Sequence, residues 1–262
     1  MQNSFLRRSF CKLAPLVLPL TVRTQAAASE QAVPETFPTQ PPDLVQEMVM
    51  VAHGNLKRVR ELVDARPSLA KAAWDWGFGD WEDALGAASH VGNRGIAEYL
   101  IEMGARPTLY SATMLGHLET VKAFVAAHPG VQRIPGPHSI SLLAHAEAGG
   151  GAAVPVLKYL ESLGDARAPA TVPVTEQDLS SLTGNYVYGA APSQQIAITA
   201  DRGQLTFTRT GTMGRGLIHL GDLVFHPMGA SAVKIRFDRL GTGVTLEVHD
   251  PDLVLAARRV SI

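Results

Sequence analysis

Histidine and aspartate residues in the first two thirds of the chain are the candidates for chemistry. Three of the nine histidines, His90, His138 and His145, lie in segments that helical folding could bring towards Asp80 or Asp83. Such a group could act as an acid/base pair or bind a metal, but zinc needs three or four ligands converging at about 2.0–2.2 Å. The sequence contains no HExxH or HxH pair. It therefore predicts no metal site and no cofactor, and it keeps the His/Asp group as an alternative.

The segment Trp74–Asp83 is the densest mixture of aromatic and acidic residues. It contains all three tryptophans, one phenylalanine and four carboxylates, and its two glycines permit a tight, irregular backbone. One interpretation is a recognition loop, because aromatic anchors with a polar rim are typical of binding hot spots. In the other interpretation, the tryptophans fold back and cap neighbouring helices. The candidate partner-binding residues are Trp74, Trp76, Asp80, Trp81, His90 and Tyr110.

These residues belong to a recurring helical unit that occupies residues 43–168. Each copy has a turn glycine followed by apolar residues at the i, i+3 and i+4 spacing of an amphipathic helix. The turn glycines are Gly54, Gly92, Gly116 and the run Gly149–Gly151. Four such units exceed the three or so that are needed to bury a continuous core.

Two phrases, Gly116-His117-Leu118-Glu119 and Met103-Gly104-Ala105, are close to a known consensus. With a short helix, a glycine turn, a longer helix and a Gly-Ala exit, the unit resembles the ankyrin repeat over about half of the chain. It departs from that family in the uneven spacing of its turn glycines. The resemblance implies an extended concave surface that binds a protein partner.

The hydrophobic period changes from 3.6 to 2 after residue 169, which predicts an antiparallel sheet or a small barrel. The candidate strands are Asn185–Tyr188, Gln195–Thr199, Gln204–Thr210, Gly216–His219, Asp222–His226, Val233–Asp238, Gly243–His249 and Leu253–Val260. The predicted interior residues are Tyr186, Phe207, Phe225, Ile235 and Phe237. A half-open barrel that binds an apolar ligand is the alternative to this packed core.

The sequence phrases Leu182–Tyr186, Leu223–Phe225 and Ile235–Phe237, with the ending Ala257–Arg259, occur in a familiar order. They resemble the small lipocalin-like β domain that follows the catalytic domain in some β-lactamase-like hydrolases and peptidases. The resemblance implies an accessory role. The sequence itself contains no GxSxG elbow and no KTG element for serine hydrolysis.

The first 28 residues have the three parts of an export signal. Arg7 and Arg8 precede an apolar run, Leu13–Val22, and the run precedes Ala26–Ala28. The paired arginines resemble the bacterial twin-arginine signal, so we expect cleavage after Ala28, a proline-rich spacer at residues 29–42 and a periplasmic or secreted protein. The apolar run is shorter than the roughly 20 residues that span a membrane, which predicts no integral membrane segment in the mature chain.

Composition narrows the remaining function classes. A formal net charge of −1, without a Lys/Arg run in the body of the chain, argues against nucleic-acid binding. A single cysteine excludes a disulfide framework. The predicted fold class is α + β, with an ankyrin-like repeat domain at residues 43–168 and an antiparallel β domain at residues 169–262.

The expected function is that of an exported, non-enzymatic scaffold. It would engage a protein partner through the concave face and the Trp-rich segment. The alternative is a periplasmic hydrolase or small-ligand-binding protein, with a site near the junction of the two domains. That site would use His138 or His145 together with Asp80 or Asp83.

Overall fold

The computed structural model of the chain describes residues 35–241, 243–251 and 253–260. The predicted signal peptide, its cleavage site and the first part of the predicted spacer lie outside these residues. Residues 35–39 contain a turn in which the Thr39 N–H donates to the Thr36 carbonyl. From residue 40 onwards the chain forms one unit. Among the described residues, none of the helices has the length and apolar character needed to cross a membrane.

Helices alternate with glycine turns between residues 42 and 163. The predicted second helix of each unit is confirmed, because a helix follows each of the turn glycines. The helices are α1 (Pro42–Val51), α2 (Leu56–Ala65), α3 (Ala84–His90), α4 (Arg94–Glu102), α5 (Leu109–Met114), α6 (Leu118–Ala127), α7 (Leu142–Ala148) and α8 (Val154–Leu163). Asn55 and Asn93 cap α2 and α4 by accepting a backbone N–H three residues later.

Small side chains allow the first helices of successive pairs to pack against each other. Helix α3 contacts α1, α5 and α7, and α5 also contacts α7. Ala87 and Ala88 of α3 are completely buried, and Leu85 and Met114 fill the space around them. Each large apolar side chain buried in this way contributes about 1.5–3 kcal/mol to folding.

Residues 73–83 form a short antiparallel hairpin where the sequence predicted an irregular loop. Strand β1 (Ala73–Asp75) pairs with β2 (Trp81–Asp83), and Trp74 lies opposite Glu82. Gly77, Phe78 and Gly79 all have positive φ angles, so this turn depends on its two glycines. The hairpin contacts α1 through β1 and α3 through β2.

A closed eight-stranded antiparallel barrel occupies the C-terminal part of the chain, and it confirms all eight predicted strands. The strands are β3 (Gly184–Val187), β4 (Gln195–Asp201), β5 (Gln204–Arg209), β6 (Arg215–Gly221), β7 (Val224–Pro227), β8 (Lys234–Leu240), β9 (Gly243–Asp250) and β10 (Leu253–Arg259). Neighbours in sequence pair throughout, and β10 pairs with β3 to complete the barrel. The barrel is therefore closed, not half-open.

The five predicted interior residues of the barrel are all buried, at 6% exposure or less. One end of the barrel is covered by an unpredicted helix, α9 (Glu176–Leu182), which is capped by Thr175. Leu179 and Leu182 of α9 pack into the barrel core, and Asp178 pairs with Arg239. Helix α9 lies where β3 begins, and the barrel residues beyond the end of β3, such as Tyr188, line a cavity.

Candidate functional site

A buried glutamate, Glu82, lies among several histidines. It is on β2, where strand alternation turns Trp81 outwards and Glu82 inwards, so the two residues are 63% and 1% exposed. The Glu82 carboxylate accepts a hydrogen bond from Trp76 Nε1 at 2.8 Å. Its oxygens also lie 3.0 Å from His90 Nδ1 and 3.3 Å from His138 Nε2.

His53 completes this group from the end of the first helix. Its Nε2 lies 3.8 Å from Glu82 Oε2, and its ring centroid lies 4.8 Å from that of His90. One potential donor atom from each of His53, Glu82, His90 and His138 lies within 4.8 Å of the other three. We call these four residues the histidine–glutamate cluster. Because His53 lies two residues after the end of α1 and His90 ends α3, two consecutive first helices direct their C-terminal ends towards Glu82.

Asp80 joins the hairpin to the barrel. It is 3% exposed, and it accepts hydrogen bonds from the His138 backbone N–H at 2.9 Å and from His138 Nδ1 at 2.6 Å. Arg215 of β6 donates from Nη2 to Asp80 and, at 2.7 Å, to the Met228 carbonyl. Asp80 therefore connects three segments that are far apart in the sequence.

The backbone around His138 adopts a conformation that few residues tolerate. His138 and Ser139 have φ angles of 58° and 60°, and each such residue costs about 1–3 kcal/mol unless its surroundings enforce it. Asp80 holds His138 on one side, and Ser139 Oγ accepts a hydrogen bond from the Gly229 N–H at 2.8 Å on the other. The loop is thus fixed between hairpin and barrel with the His138 ring facing Glu82.

The charges in this region favour a cation. Burial raises the pKa of Glu82, but the neighbouring imidazoles of His138 and His90 outweigh burial and lower that pKa to about 2. The carboxylate is therefore ionised at neutral pH. Burial also lowers the pKa of Arg215, although Arg215 stays paired with Asp80. A buried anion such as Glu82 is costly unless a positive charge or hydrogen-bond donors compensate for it.

Two cavities meet at Trp76, Met213 and Arg215, which line both of them. The larger cavity has a volume of about 980 Å³ and lies between the hairpin and the barrel, near the end of β3. The smaller cavity, of about 450 Å³, includes His53 and His138 in its wall. The apolar lining of the larger cavity consists of Trp74, Trp76, Phe78, Ile196, Phe207, Met213, Val248, Leu253 and Leu255.

The predicted partner-binding residues occupy different environments. Asp80, Trp76 and His90 meet at or beside the histidine–glutamate cluster, and Trp74 is half-buried in the wall of the larger cavity. Trp81 alone among the tryptophans is exposed. Tyr110 lies elsewhere, where its hydroxyl donates to the Ile134 carbonyl.

Of the predicted His/Asp combinations, the structure brings together His138 and Asp80. His145 is completely buried, its Nδ1 donates to the Ser141 carbonyl at 2.9 Å, and burial lowers its pKa to about 4. Asp83 caps α3 by accepting the Gly86 N–H. Both residues therefore have local structural partners outside the cluster.

Sequence reasoning missed three residues of this region, namely His53, Glu82 and Arg215. One signal was present for His53, which lies close to a turn glycine as His90 does. His53 lies one residue before Gly54, and His90 lies two residues before Gly92. Arg215 gave no signal, because its contact with Asp80 spans 135 residues.

Comparisons of the chain with protein-family models, with curated proteins and with solved structures found no match.

Proposed function

We propose that the protein binds a small molecule with an apolar body and a polar head group in the larger cavity. The observation that carries this proposal is the cavity itself, whose volume of about 980 Å³ lies at the upper end of the roughly 300–1,000 Å³ typical of ligand pockets. Its walls come from both the hairpin and the barrel. Aromatic and aliphatic side chains dominate the lining, as in most small-molecule sites.

The polar part of the lining favours a head group that accepts hydrogen bonds. Arg215 Nε is buried and has no hydrogen-bond partner in the described part of the chain. Arg209 lines the same cavity, and its Nε donates to the Tyr188 hydroxyl at 2.9 Å. A buried donor without an acceptor is costly. An acceptor oxygen on the head group of the ligand would satisfy Arg215 Nε. Because Asp43 and Asp75 also line this cavity, its wall carries two carboxylates beside the two guanidinium groups.

The arrangement around His138 favours binding over metal-free acid–base hydrolysis. A general base needs a ring nitrogen within reach of the proton that it removes. Nδ1 of His138 is hydrogen-bonded to Asp80, and Nε2 of His138 faces Glu82. Neither nitrogen is therefore aimed at a substrate in the larger cavity.

Filling the cavity should weaken binding. Leu255 is half-buried and lines the larger cavity. In Leu255→Trp, a bulkier indole side chain would occupy part of the cavity. We expect the Kd for 1-anilinonaphthalene-8-sulfonate, a probe with apolar rings and an anionic group, to rise about tenfold or more, equivalent to about 1.4 kcal/mol. Fluorescence titration of the probe gives the Kd.

The matched control is Leu220→Trp, because Leu220 is exposed on β6 and does not line either cavity. Its Kd should equal that of the unmodified protein. Equal affinity in both variants, or no saturable binding to the unmodified protein, would contradict the proposal.

A second candidate function is protein-partner binding by the helical region, as the resemblance to ankyrin repeats implies. The observation that favours it is the exposure of Trp81, whose position on a short strand presents the indole to solvent. Exposed aromatic side chains on rigid elements are typical hot spots. In this proposal the helix pairs form the concave face, and Trp81 lies beside it as an anchor.

Replacing Trp81 with alanine should abolish capture of the partner from a periplasmic extract without lowering the free energy of unfolding by more than about 0.5 kcal/mol, as is usual for surface positions. Leu220→Ala on the barrel is the control and should capture the same protein as the unmodified chain. Identical capture by Trp81→Ala would contradict this role.

The predicted twin-arginine signal supports a periplasmic location, which stays a proposal.

A further inference from the structure

We infer that the histidine–glutamate cluster binds one divalent transition-metal ion, with zinc as the first candidate. The inference goes beyond the proposed ligand-binding function and does not depend on it. It also departs from the sequence-based expectation, which foresaw no metal. The cluster has three features of a metal site: the spacing of its donor atoms, two buried atoms without hydrogen-bond partners among the described residues, and outer contacts that orient the rings.

The donor atoms have the separations of ligands around a common ion. Ligands at about 2.1 Å from a tetrahedral zinc ion lie about 3.4 Å from one another. The distances from the Glu82 oxygens are 3.0 Å to His90 Nδ1, 3.3 Å to His138 Nε2 and 3.8 Å to His53 Nε2. One donor atom from each of the four residues lies within 4.8 Å of the other three, so metal binding requires the longest separations to shorten towards 3.4 Å.

Two buried atoms of the cluster lack hydrogen-bond partners among the residues that the structure describes. They are Glu82 Oε1 and His90 Nδ1, which lie 3.0 Å apart but are not aligned as donor and acceptor, and which belong to side chains that are 0% and 8% exposed. Polar atoms buried without partners are rare in proteins and call for an explanation such as an ion. A metal ion between them would satisfy both, and it would neutralise the charge of Glu82.

The outer contacts of His53 and His138 leave Nε2 available as a metal ligand on both rings. His138 Nδ1 donates to Asp80 Oδ2 at 2.6 Å, and His53 Nδ1 donates to the backbone carbonyls of Val49 and Met50 at 3.1 and 3.0 Å. A ring that donates from Nδ1 in its neutral form carries its lone pair on Nε2. Carboxylate or carbonyl partners of this kind accompany most metal-binding histidines and fix their orientation.

The chemistry of the donors indicates the class of metal. Three neutral imidazoles and one carboxylate carry a charge of −1, which suits a divalent ion, and nitrogen-rich sets favour zinc, iron or copper over calcium or magnesium. His53 and His138 also line the smaller cavity. A bound ion would therefore be reachable from that cavity.

Direct titration tests the inference. The mature chain, stripped with a chelator and dialysed, should bind Zn²⁺ in isothermal titration calorimetry with one site per chain, and Co²⁺ should produce visible d–d absorption. In Glu82→Gln, which keeps the acceptor for Trp76 Nε1, Zn²⁺ affinity should fall by more than about 100-fold. Loss of an outer-shell partner alone costs about 10–100-fold.

His53→Ala provides a second variant, because His53 is 32% exposed and its removal should leave the fold intact by circular dichroism. Zn²⁺ affinity should fall in this variant as well. His128→Ala, at an exposed histidine outside the cluster, is the matched control and should bind as the unmodified protein does.

Failure to bind Zn²⁺, Co²⁺, Mn²⁺ or Fe²⁺ at one per chain would overturn the inference, as would equal affinity in Glu82→Gln, His53→Ala and the control. The first result would mean that the four side chains bind none of these ions, and the second that the ion binds outside the histidine–glutamate cluster. Leu255→Trp should bind Zn²⁺ normally, so failure of metal binding is distinguishable from failure of the ligand-binding proposal.

Discussion

Replacing Asp80 with alanine is expected to lower the free energy of unfolding by about 3–5 kcal/mol, the usual effect of removing one partner of a buried ion pair. Arg215 would be left as a buried charge at 9% side-chain exposure. The backbone N–H and Nδ1 of His138 would also lose their acceptor. Urea denaturation at pH 7, followed by tryptophan fluorescence and circular dichroism, measures the change.

Asp201→Ala is the matched control for this prediction. Asp201 is exposed, and its one ion pair within the described residues is with its neighbour Arg202, so its removal should change stability by less than about 0.5 kcal/mol. In Asp80→Ala/Arg215→Met, part of the lost stability should return, because neither member of the pair then remains buried alone. A loss below about 1 kcal/mol in Asp80→Ala would show that the ion pair does not hold the hairpin on the barrel.

Gly149→Ala should cost about 3 kcal/mol or more. Gly149 has an ordinary negative φ of −69°, so backbone strain plays no part. A Cβ at this position would lie 2.1 Å from the Met114 carbonyl oxygen and 2.6 Å from Ala153 Cβ. Overpacking of this kind typically costs about 1–3 kcal/mol and more where backbone must move, as it must here. Urea denaturation again gives the free energy.

Gly151→Ala, two residues away, separates the steric effect from the loss of a glycine. A Cβ on Gly151 meets no atom of the described residues within 4 Å. Alanine should therefore leave stability unchanged or raise it by about 0.4–1 kcal/mol, because the unfolded chain loses freedom. Similar losses in the two variants would contradict the proposed close approach of α7 and α5.

The barrel strands and the second helices could be predicted because short sequence patterns encode them. Alternation such as that of Ile196 and Ile198, which are buried on either side of Ala197, identified every barrel strand. Turn glycines located the second helices. The hairpin at residues 73–83 escaped prediction because strands of three residues are too short to show a period of 2.

The candidate site was only partly predictable because its contacts are non-local. Asp80 and His138 were named as possible partners, yet 58 residues separate them, and nothing in either segment indicates the left-handed backbone that turns His138 inwards. Glu82 was one of four carboxylates in its segment. The alternation of side chains along β2 buries Glu82, but β2 was not predicted from the sequence.

The position of the histidine–glutamate cluster also constrains how this chain can evolve. Where each helix pair contacts only its neighbours, pairs can be gained or lost without disturbing distant ones. Here His53 and His90 come from the first two pairs, and His138 precedes the fourth. An inserted pair would displace His138 by about 8–10 Å, the usual distance between packed helices. The cluster around Glu82 therefore restricts the gain or loss of helix pairs between His53 and His138, but not beyond α8.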